Sequence, residues 1–206
     1  MSLNGACQAV NKSFSADRAA FAQRLLSNKV RLVPLGHEPE RVAAADVAYR
    51  GDRAFASALV MAFPSCELLE ARVFSSKVEV PYVSGLLAFR EVRPIFCAIK
   101  RLSERFDILL ANGHGAAHPR GFGLASHLGV LLGVPSVGVA KSPIGDPELP
   151  HNAGRLVRVR SGYWVSAGHM LRLEDAVHIV TSILASGREG PLEMAHRLSR
   201  EAAELG

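Results

Sequence analysis

The segment Ile108-Leu-Leu-Ala-Asn-Gly-His-Gly-Ala-Ala-His-Pro119 carries most of the chain's chemical information. An apolar run ends in Asn112, glycines stand at 113 and 115, and histidines at 114 and 118. The run reads as a buried strand, and open sheets present ligand-binding groups at the carboxyl ends of their strands. Gly113 and Gly115 would let backbone approach a ligand closely. The pattern starts like G-x-G-x-x-G, but His118 holds the third glycine position and Pro119 follows. No acidic residue lies about 20 residues on, where a ribose would need one, so dinucleotide binding is disfavoured. His114 and His118 are four apart without the H-E-x-x-H frame of a zinc protease.

Four further features could join that segment. Asp46 sits in Val42-Ala-Ala-Ala-Asp46-Val-Ala-Tyr49, where alternation puts Ala44, Asp46 and Ala48 on one face. A carboxylate in mid-strand is costly unless paired, and its small neighbours leave room for a ligand; a hydrogen bond to a nearby loop would explain it equally well. Glu91 follows Phe89-Arg90 in a helical stretch and could be a solvated face residue, but the loop Pro81-Tyr82-Val83-Ser84-Gly85 just before it could project an aromatic ring. Lys141 ends the apolar run Pro135 to Ala140, where it could set a point charge on a phosphate or simply face water. Arg155, Arg158 and Arg160 are a local basic excess suited to phosphate contacts, with Arg158 and Arg160 expected on one face, although a solvated hairpin face reads the same way.

The elements that must position these residues follow from periodicity and punctuation. Ser15 to Lys29 shows helical spacing (Ala19, Phe21, Leu25, Leu26) behind a Ser15 cap, and Pro34 to Pro39 is a linker. Arg41 to Tyr49, Ala54 to Phe63 and Glu67 to Val78 are expected strands with short connections, hence an antiparallel meander. Ser84 to Leu102 is an expected helix, with Pro94 implying a kink or a late start. Asp107 to Ala111, Leu124 to Leu132 and Ser136 to Ala140 form a βαβ unit with parallel strands, the loop Gly113 to Gly123 lying inside it. After a Pro/Gly-rich loop, Ser142 to Gly154, come a hairpin (Arg155 to Arg160, Tyr163 to Ala167) and two helices, Leu171 to Ser186 and Leu192 to Leu205. The sum is an α/β mixed sheet, an antiparallel meander followed by parallel strands, flanked by helices.

Composition bounds the class. The 206 residues are 49% hydrophobic and 21% charged, which excludes a disordered chain and suits one domain spanning 1–206. Cys7, Cys66 and Cys97 are odd in number and form no C-x-x-C, against a disulfide framework or a cysteine zinc site. A net charge of +5 permits a polyanionic partner. Leu124 to Ala140 is too short and too interrupted to span a bilayer, no signal pattern opens the chain, and a cytoplasmic location is expected.

Taken together the residues resemble the endonuclease V (deoxyinosine 3′-endonuclease) family. The matching blocks are Ala45-Asp46-Val47-Ala48-Tyr49, Pro81 through Glu91, Asp107 through Lys141 (DILLANGHGAAHPRGFGLASHLGVLLGVPSVGVAK), Val165-Ser-Ala-Gly-His169 and Ala195-His196-Arg197. The resemblance implies a ribonuclease-H-like fold and hydrolysis of the second phosphodiester bond 3′ to deoxyinosine, leaving 3′-hydroxyl and 5′-phosphate ends. It also implies Mg²⁺ as cofactor, with Mn²⁺ as a substitute. DNA containing deoxyinosine is the implied partner, and some members prefer inosine-containing RNA.

By the same resemblance Asp46, Asn112, Glu91 and His196 form the metal site. Lys141 stabilises phosphate charge or orients water, and His118 contacts substrate near the lesion; Asp46, Glu91, Lys141 and His118 are the implied catalytic set. Pro81 and Tyr82 match a wedge inserted into the stack, and Gly85, Leu87, Gly113 and Gly115 line the hypoxanthine pocket. Two departures stand out. Ser84 replaces the proline that ends the family's wedge loop. Asn112 replaces its aspartate, so a neutral amide supplies the third ligand and metal affinity should fall. That leaves two expectations open: an endonuclease of reduced activity, and a lesion-binding protein with little or no cleavage.

Overall fold

The computed structural model describes residues 14–144 and 155–206. Seven strands form one sheet in the order β3-β2-β1-β4-β5-β7-β6. The strands β1 (Arg41–Arg50), β2 (Arg53–Ala62) and β3 (Leu68–Lys77) pair antiparallel as the expected meander. A glycine at positive φ, Gly51, makes the tight β1–β2 turn. β4 (Ile108–Asn112) runs parallel to β1, and β5 (Ser136–Ala140) parallel to β4. At the far side β7 (Trp164–His169) turns antiparallel to β5, and β6 (Val157–Arg158) pairs with β7.

Five helices complete the fold: α1 (Ala16–Ser27), α2 (Leu87–Ile99), α3 (Leu124–Leu132), α4 (Leu173–Ala185) and α5 (Pro191–Leu205). The two sheet faces build separate apolar layers. Val42, Ala44, Leu110, Val137 and Val139 face α4 and α5 through Ile179, Ile183 and Ala195. Ala43, Ala45, Leu109 and Ala111 face α2 and α3 through Val92, Ile95 and Leu128. Strand alternation therefore sends Asp46 and Asn112 to the α5 side, continuing Val42–Ala44 and Ile108–Leu110. Fully burying one such Leu or Ile contributes about 1.5–3 kcal/mol, so a register slip that turned either strand over would be strongly disfavoured.

Four expectations change. α1 is capped by Ser15, whose Oγ accepts from Arg18 N at 3.4 Å, but Phe21 and Leu25 lie on its exposed face. The buried positions are Ala19 and Gln23, because Gln23 finds carbonyl partners inside. α2 begins only at Leu87, after a turn closed by Leu86 N on Val83 O. It continues through Pro94, which forgoes one backbone bond. β6 is two residues long, since the Val159–Tyr163 pair closes the turn that contains Arg160 and Gly162. Arg158 and Arg160 thus share no strand face.

The Pro/Gly-rich loop expected to Gly154 lies outside the described residues beyond 144, as does Cys7. Cys66 and Cys97 form no disulfide. Among the described residues no helix is long and apolar enough to cross a membrane.

Candidate active site

Asp46 is the hub. It is 6% exposed, and both carboxylate oxygens are engaged. Oδ1 accepts from Asn112 Nδ2 at 2.9 Å. Oδ2 meets His196 Nδ1 at 2.8 Å and accepts from the Ser199 hydroxyl at 3.2 Å. The parallel β1–β4 pairing sets Ala45 beside Ala111, which brings the next residues of the two strands, Asp46 and Asn112, level. α5 supplies His196 and Ser199, three residues apart on one face. It is tied to the sheet where Ser57, the register partner of Asp46 on β2, donates to Ala195 O at 2.6 Å. A carboxylate acceptor implies a proton on His196 Nδ1, leaving Nε2 as an acceptor.

Glu91 reaches the same region from α2. Burial raises its carboxyl pKa to about 8, with the charge of Asp46 adding to the rise. The Tyr49 hydroxyl donates to Glu91 Oε1 at 3.4 Å, and the Arg90 guanidinium lies over the Tyr49 ring, 4.3 Å from its centroid. Arg90 also donates to Val80 O at 3.2 Å, at the root of the Tyr82 loop.

Two buried carboxylates of like charge, one holding its proton to about pH 8, are the chemistry that a hard divalent cation relieves. Among the described residues no three His, Cys, Asp or Glu side chains are gathered to hold a metal ion. The Asn112 amide lies beside Asp46 as a further polar group. Its Nδ2 is turned to Asp46, which leaves Oδ1 as a neutral oxygen donor. Two carboxylates and an amide oxygen are hard oxygen donors of the kind that Mg²⁺ or Mn²⁺ takes.

Lys141 directly follows β5 and is exposed. With Asn112 and His196 it borders a cleft of about 100 Å³ whose deeper walls are Leu110, Val139 and Ile183. The adjacent ends of β4 and β5 thus place Asn112 and Lys141 on one cleft.

The loop from Gly113 to Gly123 lies across the ends of β4 and β7. Gly115 within it is closely packed. A Cβ on Gly115 would stand 2.1 Å from Ala167 O. Gly115 N donates to Ser166 Oγ at 2.8 Å, and its carbonyl accepts from His118 N and Gly123 N. Gly113 N continues the sheet by donating to Val139 O at 2.9 Å.

His118 is 6% exposed. Its Nδ1 accepts from Arg120 N at 3.1 Å, so the proton sits on Nε2, which donates to Gly85 O at 3.0 Å. Burial, with the Arg120 charge, lowers its pKa to about 4, and the ring is neutral at physiological pH. Gly85 takes a positive φ of 75°, which glycine adopts without penalty. Pro81 and Tyr82 are exposed, the Tyr82 ring 69% so, while Leu87 opens α2 on the other side of Gly85.

The family model of endonuclease V matches residues 24–197. The chain belongs to the endonuclease V family. An endonuclease V of Pyrococcus abyssi is 40% identical over 181 residues, spanning 87% of this chain and 86% of the relative. The crystal structure of endonuclease V from Streptomyces avermitilis superposes with a TM-score of 0.82 at 32% identity, covering 92% of this chain and 93% of that one. The endonuclease V of Ciona intestinalis, solved with a 24mer DNA containing an inosine followed by a ribo-adenosine, is 26% identical. Its TM-score is 0.76, with 91% and 97% of the two chains covered. The α/β mixed sheet with flanking helices is therefore the ribonuclease-H-like fold of that family.

Sequence reading of this endonuclease V family member missed Ser199, Tyr49, Gln23 and Arg120 as site residues. Ser199 had a signal: it lies three residues after His196 on a helix, hence on the same face. Tyr49, three positions after Asp46 on the strand, points to the opposite face, and its link to Glu91 depends on where α2 crosses the sheet.

Proposed function

We propose that the protein is a metal-dependent endonuclease that hydrolyses the second phosphodiester bond 3′ to deoxyinosine in DNA, leaving a 3′-hydroxyl and a 5′-phosphate. The observation that carries this reading is the meeting of Asp46, Asn112 and His196 within 2.9 Å contacts, in a chain of this family, with a buried Glu91 close enough to feel the Asp46 charge. Inosine-containing DNA is the ligand of the Ciona relative, and RNA containing inosine is a second candidate substrate.

Asp46, Glu91 and the Asn112 carbonyl oxygen would hold the cation, with His196 beside it. Bound there, Mg²⁺ or Mn²⁺ would supply charge neutralisation on the non-bridging phosphate oxygens and acidify a water molecule. The chain's own groups do the rest. Asp46 fixes the His196 ring through Nδ1, so that Nε2 can accept a proton from the attacking water or orient it. Lys141 places a point charge beside the phosphate. The water oxygen bonds to phosphorus, the P–O3′ bond breaks, and the departing 3′-oxygen takes up a proton. Tyr82 acts on the base stack, its exposed ring occupying the gap left by a displaced base. Gly85, Leu87, Gly113 and Gly115 border the space for that base, and His118 braces it through Gly85.

A second reading rests on Asn112: a lesion-binding protein with little cleavage. The test is a denaturing gel of an inosine-containing duplex incubated with the protein and with Asn112→Asp, in Mg²⁺ and in Mn²⁺. Cleavage by both proteins supports the nuclease. Cleavage by the variant alone supports the binder. Cleavage by neither, with no inosine-selective gel shift, overturns both.

A further inference from the structure

We propose that Gln23 of α1 is a positioning residue that sets selectivity for the lesion; this rests on the assignment of the Gly85 and Gly113–Gly123 loops to the displaced base. Gln23 is 1% exposed, and its amide ties three strand-distant segments together. Nε2 donates to Phe122 O at 2.9 Å and to Gly85 O at 3.2 Å. Oε1 accepts from Arg120 Nε at 2.5 Å. The Gly85 carbonyl also accepts from Arg120 NH2 at 2.6 Å and from His118 Nε2 at 3.0 Å.

Three donors thus converge on one carbonyl that offers two lone pairs. Two of them, Gln23 and Arg120, are bonded to each other. The network fixes the turn between the Tyr82 loop and α2 against the loop that follows Asn112. Gln23 is thus the α1 side chain that bonds to both loops. Gln23 lies just before residue 24, where the family match begins.

The consequence follows from ordering cost. A base displaced into a fixed site loses no affinity to loop ordering, whereas a loose loop must be ordered at the expense of binding. Contacts to phosphates do not depend on the Gly85 turn. Loss of Gln23 therefore weakens recognition of the lesion and leaves attachment to undamaged DNA as it was.

The test is fluorescence anisotropy with inosine-containing and undamaged duplexes of otherwise identical sequence, in EDTA, on the full chain. Gln23→Leu keeps the size and removes every bond. Its ratio of affinities should fall about tenfold, the size of one lost hydrogen bond to a charged group, with affinity for undamaged DNA unchanged. In cleavage assays the loss should fall on KM rather than kcat. Equal losses on both duplexes, or no loss on either, overturn the proposal. If Gln23→Leu does not fold by circular dichroism, Arg120→Gln is judged by the same ratio. A parent protein that binds both duplexes equally would instead overturn the lesion reading, before any variant is made.

Discussion

The amide nitrogen of Asn112 donates to Asp46 Oδ1 at 2.9 Å, so the two side chains are locked together as donor and acceptor. An amide can serve Asp46 as a donor, which an ionised aspartate cannot. Asn112→Asp would set two carboxylates at hydrogen-bond distance without a proton between them. In EDTA the variant should be less stable by about 1–3 kcal/mol, the cost of a lost buried partner. With Mg²⁺ or Mn²⁺ its melting temperature should rise more than that of the parent, since a third charge tightens the cation and binding stabilises the folded state. Thermal melts with and without metal decide this; equal metal-induced shifts would contradict it.

Glu91 holds its proton because burial and then Asp46 raise its pKa to about 8, against 4.5 in the unfolded chain. The folded state binds more protons than the unfolded state between those values. Its contribution is fully present below pH 4.5 and is lost as pH rises through 8. Each unit of such a displacement corresponds to about 1.4 kcal/mol. Glu91→Gln keeps the shape and removes the charge, so the metal-free variant should melt higher than the parent at pH 8 and differ little near pH 4. Cleavage should fall by orders of magnitude, the active-site charge being functional at the expense of stability. A melting difference that is the same at both pH values would refute this account.

What was legible in the sequence is what alternation and helical spacing encode. Leu124 to Leu132 and Ser136 to Ala140 match α3 and β5, since both are short apolar segments bounded by glycine or proline. Asp46 and Asn112 stood out because a polar group ending or interrupting a buried strand is costly without a partner, and the structure bonds them to each other. α1 was misjudged in part: Phe21 and Leu25 fit an apolar face, yet Gln23 is buried beside Ala19 in their stead. Its partners are backbone carbonyls 62 and 99 positions away, and no local pattern reports a carbonyl. For the same reason the spacing of Gly113 and Gly115 could not report that the Ala167 carbonyl closes one side of Gly115.

His127 lies between aromatic rings, 5.4 Å from Phe89 and 5.0 Å from Phe122 by centroids, and its buried Nδ1 has no hydrogen-bond partner. Desolvation lowers its pKa from 6.5 to about 4. The unfolded chain therefore takes up the proton first as pH falls. The stabilising contribution is present above pH 6.5 and is lost towards pH 4, by up to about 1.4 kcal/mol per pH unit. His127→Phe should flatten the melting temperature between pH 6.5 and 4. Some slope should persist, because His118 is displaced in the same direction. A profile as steep as the parent's would remove His127 from the acid response.

Tyr82 is 69% exposed on a loop whose root is held by Arg90 at Val80 O. Leaving so large a ring in water brings little stability, so its removal should leave the melting temperature nearly unchanged. Its proposed work is on the base stack, where one aromatic side chain contributes about 1–3 kcal/mol per base. Tyr82→Ala should therefore weaken binding of an inosine-containing duplex by roughly 5- to 150-fold, while affinity for Mn²⁺, measured by calorimetry, stays as in the parent. Salt separates the two kinds of contact. Phosphate attachment through Lys141 and the arginines falls steeply with ionic strength by counterion release, and a stacking contact does not. The salt slope of the variant should equal that of the parent, with the whole line displaced to weaker binding. Matching losses of lesion and metal affinity, or a slope that changes with the ring, would take Tyr82 out of the wedge role.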